Sequence, residues 1–310
     1  MPEEIIQVNH VSKNFKDIIA VNDLSFTVLK NDVYGFLGQN GAGKSTMIRM
    51  LLTLIRPSSG EINIFGKQLA THRIESLKRM GAIIEKPDVY KYLSAFQNLA
   101  LFAKLSGMRP SKSLLMDALK QVGLQNREHD LVKTFSQGMK QRLGIAIALI
   151  HEPDIIILDE PTNGLDPQGI ADMRKMISYL QQERKKTVLV SSHLLSEIEQ
   201  IATRILIIDK GKKLIEGEAS TLLDPSNTMI EIKALKLEEA LAKLRNSQWE
   251  SLLVPGDEHS IKLKMSKNLI PKLHQWLVQN NVDIISMIPR HSLEDLFLQV
   301  TSGKNNVESI

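Results

Sequence analysis

Nine residues near the start of the chain constrain its fold more than any other stretch: Gly38-Gln39-Asn40-Gly41-Ala42-Gly43-Lys44-Ser45-Thr46. They follow a short apolar run over 33–37 that reads as a buried strand, and they open a helical pattern over 44–54. A strand, a glycine-rich turn and a helix beginning Lys-Ser-Thr make the P-loop pattern. Gly38, Asn40, Gly41 and Gly43 line a turn whose N–H groups converge on phosphate oxygens, and the helix start adds its partial positive charge. Lys44 then reaches the β- and γ-phosphates, the Ser45 hydroxyl ligates Mg²⁺, and Thr46 helps hold the α-phosphate. The competing reading, a glycine-rich turn that merely joins two elements, does not explain Lys-Ser-Thr at the helix start.

Short β-branched runs elsewhere alternate with segments of helical period, the pattern of an α/β domain with a largely parallel sheet. Residues 155–158, 187–190 and 205–208 read as further core strands, and 81–84 as another. The run Ile155-Ile156-Ile157-Leu158 delivers Asp159 and Glu160 to a strand end, where parallel sheets bind ligands. Beside a P-loop, Asp159 serves the Mg²⁺ shell and Glu160 polarises an attacking water as general base. Segments 94–106, 112–122 and 137–150 carry helical patterns without strand signals, which marks a helical block inserted at about 88–150.

A P-loop and an acidic strand end suit many nucleotide enzymes, so the narrowing comes from the insert. There Ser136 reads as an N-cap before a helix and Gly138 permits close approach, a second anion-binding helix start in one chain. Leu131-Val132-Lys133-Thr134-Phe135-Ser136-Gln137-Gly138-Met139-Lys140-Gln141-Arg142 resembles the signature motif of ABC ATPases. That resemblance, which spans residues 1–217, implies a P-loop NTPase fold of ABC ATPase type: a RecA-like core with an antiparallel β edge and an inserted helical subdomain. It also implies ATP and Mg²⁺ as ligands. Two subunits, identical or close paralogues, hold each nucleotide between the P-loop of one and Ser136 and Gly138 of the other. Asn163-Gly164-Leu165-Asp166 resembles the D-loop that crosses this junction. His193 matches the switch histidine at the γ-phosphate, and Phe15 the aromatic that stacks on adenine. Where most family members carry a glutamine coupling the Mg²⁺ site to membrane partners, this chain has Glu85, as in subunits that expel lantibiotics.

The pattern changes after residue 217. A linker over 218–227 precedes a small α+β domain over 228–302, with strands at 229–232, 261–263 and 284–288, helices at 237–245 and 269–278, a closing helix at 292–300, and a tail over 303–310. Leu293-Glu294-Asp295-Leu296-Phe297 and this domain resemble the bacitracin-resistance and drug-export ATPases. Trp249 and Trp276 read as core or interface residues there.

Composition sets outer limits. No apolar run approaches the roughly 18 residues of a membrane span, so any membrane role is peripheral. No cysteine is present and no secretory signal is readable, in agreement with the expected location in the cytoplasm, peripheral on the inner face of the membrane. The net charge of +4 is scattered, which gives a nucleic-acid groove no support. The expected partners are integral membrane permease subunits and a second ATPase subunit. The alternatives are an importer ATPase with a regulatory C-terminal domain and a soluble ABC ATPase outside transport.

Overall fold

A computed structural model describes residues 3–223, 228–257, 259–290, 293–294 and 296–297. The chain divides into two compact units, Met1–Glu218 and Ala219–Ile310. In chain order the first holds β1 (Glu4–Phe15), β2 (Ile18–Leu29), β3 (Val33–Leu37), α1 (Lys44–Leu51), β4 (Ser59–Ile64), β5 (Lys67–Gln68), α2 (Arg73–Leu77) and β6 (Met80–Ile83). It continues with α3 (Ala95–Leu105), α4 (Lys112–Gln121), α5 (Gln137–Leu149), β7 (Ile155–Asp159), α6 (Pro167–Gln182), β8 (Thr187–Ser192), α7 (Leu195–Ile198), β9 (Arg204–Asp209) and β10 (Lys212–Glu218).

Its main sheet runs in the order β10-β9-β3-β8-β7-β6, with β9, β3, β8, β7 and β6 parallel and β10 antiparallel at the edge. All residues of β3, β7 and β8 are buried, which is why these strands read as unbroken apolar runs rather than alternating ones. A second, antiparallel sheet runs β2-β1-β4-β5. Over residues 24–29 of β2 buried and half-buried side chains alternate, as a strand with one face on a core requires. Register shifts interrupt the pairing of β1 with β2, among them one between Val8 and Val11 near His10, which has φ 51°.

Three helices, α3, α4 and α5, make the inserted block, and a serine caps each start. Ser94 forms a full capping box with Gln97, while Ser111 and Ser136 accept from the backbone N–H three residues on. At the N-terminal ends of the parallel strands, away from the P-loop, Asp32 accepts from the Leu29 N–H and the Thr203 hydroxyl. Burial raises the Asp32 carboxyl above its ordinary range despite those bonds. Tyr34, fully buried and close to it in sequence, donates to Glu216 of the edge strand.

The second unit opens on α8 (Ala219–Leu222), followed by β11 (Thr228–Ala234), α9 (Leu237–Arg245), β12 (Leu253–Asp257), β13 (Ser260–Met265), α10 (Ile270–Gln279) and β14 (Ile284–Arg290). Its antiparallel sheet has the order β12-β13-β11-β14. A βαββαβ chain in that order is the split βαβ, ferredoxin-like arrangement. Ile230, Ile232, Leu244, Leu263, Leu273 and Leu277 are fully buried in its core; Trp249 is buried among them and Trp276 packs against the cluster. Part of the expected linker is therefore helical, since α8 occupies 219–222, and residues 224–227 lie outside the described residues. Most of the expected closing helix at 292–300, and the tail over 303–310, also lie outside them.

Candidate nucleotide site

The loop after β3 is held in shape by its glycines. Gly43 caps α1 with φ 107°, and a Cβ there would stand 2.5 Å from the Ala20 carbonyl oxygen of β2. Only glycine meets both demands, because positive φ strains other residues and the backbone leaves no room. Gly38 is buried, Asn40 and Gly41 are exposed at the loop's turn, and Ser45 and Thr46 sit half-buried in the first turn of α1. The Lys44 side chain, 5% exposed, folds back so that Nζ donates to the carbonyls of Gly38 at 2.6 Å and Gln39 at 3.2 Å.

Strand β7 brings its two acids to the same place. Lys44 Nζ lies 3.2 Å from Glu160 Oε1, and Glu160 Oε2 lies 2.7 Å from His193 Nδ1, so one carboxylate is gripped from two sides. Glu160 has φ 50°, a left-handed backbone that a non-glycine residue adopts at a cost. What over-determines it is β8: the Glu160 N–H donates to the Ser191 carbonyl at 3.2 Å and to the Ser191 hydroxyl at 2.9 Å. The same hydroxyl donates to Asp159 Oδ1 at 2.5 Å. Asp159 is fully buried, and its Oδ2 has no hydrogen-bond partner among the described residues. Ser191 lies one residue beyond the strand read from sequence at 187–190, and sequence reasoning missed it; the polar pair Ser191-Ser192 ahead of His193 was the available signal.

A second cluster joins the start of α5 in the helical insert to α6. Ser136 caps α5 through the Met139 N–H at 3.3 Å, and Asp166 caps α6 through the Gly169 N–H at 2.9 Å. Ser136, Gly138, Arg142, Leu165, Asp166 and Tyr179 line one groove of about 800 Å³. At Gly138 a Cβ would meet nothing closer than Leu165 Cδ2 at 3.9 Å, so among the described residues no close contact requires glycine there. Among the described residues no hydrogen bond or ion pair joins this cluster to Lys44, Asp159, Glu160 or His193.

Two expected residues stand apart from both clusters. Phe15, at the end of β1, is 45% exposed, with Lys13 Nζ 4.9 Å from its ring centroid. Glu85, a candidate Mg²⁺ ligand just past the end of β6, has φ 58° and pairs with Arg49 of α1 at 2.7 Å; its side chain is 65% exposed. Arg49 has no signal in the sequence, because its pairing with Glu85 is made only by the fold.

A strand–loop–helix phosphate cradle, a buried acidic strand end and a histidine just past the neighbouring strand define a P-loop nucleotide-hydrolysing unit. A family model described as ABC transporter matches residues 21–163. The bacitracin transport ATP-binding protein BcrA of Bacillus licheniformis is 40% identical over 96% of this chain and 98% of its own length. The lantibiotic transport ATP-binding protein SrtF of Streptococcus pyogenes is 41% identical over 69% of this chain and 91% of its own. A dimeric ATP-binding cassette, solved in a post-hydrolysis state with ADP and phosphate, shares the fold with a TM-score of 0.63 at 24% identity, over 69% of this chain and 99% of its own. The chain belongs to the ABC transporter family, as an ATP-binding and ATP-hydrolysing subunit. Among its described residues no helix is long and apolar enough to cross a membrane.

Proposed function

We propose that this subunit powers export of a bacitracin-like or lantibiotic-like peptide that attacks the cell envelope, through separate membrane-spanning subunits at the inner face of the membrane. The observation that carries the reading is the extent of the likeness to the bacitracin transport subunit, which takes in both units of the chain. The likeness of 69% of the chain to a lantibiotic transport subunit points to the same kind of cargo. Deleting the gene should sensitise its host to bacitracin or to a lantibiotic; unchanged sensitivity to a panel of such peptides would remove this cargo class.

Hydrolysis follows from the two clusters. Two subunits, identical or close paralogues, close head to tail, so that Ser136 and Gly138 of one meet the γ-phosphate held by Lys44 of the other. The open Cβ space at Gly138 supports this, because a glycine without an internal reason fits a close approach from outside. Symmetric pairing forms both sites at once. Lys44 exchanges the Gly38 and Gln39 carbonyls for phosphate oxygens. That movement releases Glu160 Oε1 to accept a proton from the attacking water, while His193 keeps Oε2 in place. Phe15 stacks on the adenine, and Asp166 joins the junction from the start of α6.

The residues present fit Mg²⁺. Asp159 has a buried carboxylate oxygen without a partner, and Ser45 is a hydroxyl in the first turn of α1. One or two protein ligands beside nucleotide phosphates are the usual Mg²⁺ set. Bound there, the ion would neutralise charge on the β- and γ-phosphates. Glu160→Gln should remove the base but not the binding groups, and so trap an ATP-bound dimer. A variant that turns over at the parent rate and elutes as a monomer contradicts the assignment.

A further inference from the structure

The loop after β6 touches both phosphate-binding helices. Glu85 pairs with Arg49 of α1, and two residues on, Pro87 lies against Gly144 of α5. A Cβ at Gly144 would stand 2.7 Å from Pro87 Cγ, 2.8 Å from its Cβ and 3.3 Å from Ile83 Cδ1. Gly144 is buried in the middle of α5, where glycine costs about 1 kcal/mol relative to alanine. The proline ring is what the missing methyl makes room for. One turn further on, the same helix is anchored to β6. A Cβ at Gly81 would stand 2.1 Å from the Ala148 carbonyl oxygen, and just past the helix His151 Nε2 lies 3.0 Å from the Met80 carbonyl oxygen.

We propose that the Pro87–Gly144 contact is the pivot through which the Glu85 loop sets the angle of α5, and with it the place where Ser136 and Gly138 meet the partner's nucleotide. This rests on the head-to-tail reading above. With α5 anchored at Ala148, Gly144 sits on an arm of about 6 Å and Gly138 on one of about 15 Å. Relieving a 2.7 Å contact to ordinary distance needs about 0.7 Å at Gly144, which the lever turns into roughly 2 Å at Gly138. Gly144 is thus a positioning residue. It touches no nucleotide, and the loop that carries Glu85 holds it.

The test uses the full chain in a Glu160→Gln background, reading ATP-dependent dimerisation by sedimentation and monomer nucleotide affinity with a fluorescent ATP analogue. Glu160→Gln alone should dimerise with ATP; its failure to do so overturns the head-to-tail reading, and the pivot with it. Adding Gly144→Ala should weaken dimerisation at least about tenfold, the scale of an ångström-sized misplacement, with nucleotide affinity unchanged within twofold. Adding Pro87→Gly as well should restore the dimer, since it removes both the Cγ and the Cβ that the new methyl meets. Pro87→Ala without Gly144→Ala should loosen dimerisation about threefold, which keeps the pivot testable where the alanine at 144 fails to fold. Dimerisation by Gly144→Ala as tight as its parent's overturns the pivot. So does an equal loss of nucleotide affinity, no recovery in the double variant, or an unaffected Pro87→Ala dimer.

Discussion

Ser191→Ala strikes the point where β8 fixes both acids. The hydroxyl is fully buried, donates to Asp159 Oδ1 at 2.5 Å and accepts the Glu160 N–H at 2.9 Å. Without it the Asp159 carboxylate keeps no hydrogen bond among the described residues, because its Oδ2 has none already. The Glu160 N–H retains the Ser191 carbonyl at 3.2 Å, so the second loss is partial. A hydrogen bond to a charged group is worth about 1.5–3 kcal/mol, which puts the destabilisation of the first unit at about 2–3 kcal/mol. Urea unfolding in magnesium-free buffer should show that loss as a lower midpoint at constant slope. Turnover should fall at least about tenfold, since Glu160 loses part of what holds its left-handed backbone. ATP affinity, set by the residue 38–46 loop, should stay within about twofold of the parent value, well inside the 1.4 kcal/mol that separates decades. A variant within about 0.5 kcal/mol of the parent and with the parent's turnover would refute the argument that Ser191 organises these acids.

Asp32→Asn tests the far end of the same strands. Burial raises the folded-state carboxyl above its unfolded value, so its stabilising share is present below the unfolded value and lost as pH rises through the folded one. The amide oxygen of the substituted side chain can still accept the Leu29 N–H, and the Thr203 hydroxyl can turn to the Val33 carbonyl at 3.3 Å. The variant should melt higher than the parent at pH 7, by a margin that shrinks toward pH 4; a margin independent of pH counts against it. Phe15→Ala should weaken ATP binding about fivefold, the worth of roughly 1 kcal/mol of stacking. Equal affinity for ATP and for inorganic triphosphate in the parent would deny the ring that role. Glu85→Gln, which gives up the Arg49 pair, should leave nucleotide affinity nearly unchanged and shift turnover or its stimulation by the membrane partner. Identical basal and stimulated rates would remove any special part for the carboxylate.

Much of this fold was legible because its signals are local. The P-loop lies between β3 and α1, and α9 begins and ends where its period does. Strands β7 and β8 announced themselves as apolar runs, since both faces of a parallel sheet are covered. The 12-residue strands β1 and β2 were not individually readable. Polar residues such as His10, Ser12, Asn22 and Asp23 break their pattern, and register shifts reset the alternation between them. Helix α6 has only its start signals in the sequence, Asp166 as N-cap and Pro167 as first residue. In the site, single residues that bear charge were legible, but those that hold them were not. Ser191 and Arg49 act only through partners brought close by folding, at separations of 32 and 36 residues. The ferredoxin-like order of the second unit likewise depends on non-local pairing, which no short pattern encodes.

The absence of cysteine allows a direct measurement. Gln39→Cys and Gln137→Cys, placed together in the Glu160→Gln chain, put one thiol on the phosphate loop and one beside the second helix start. A disulfide requires Cα atoms within about 7 Å. With MgATP, oxidation should yield a covalent dimer linked twice, and without nucleotide it should leave monomers. Dimer formation that ignores nucleotide, or none at any ATP concentration, would mean that the two helix starts do not grip one phosphate from opposite subunits.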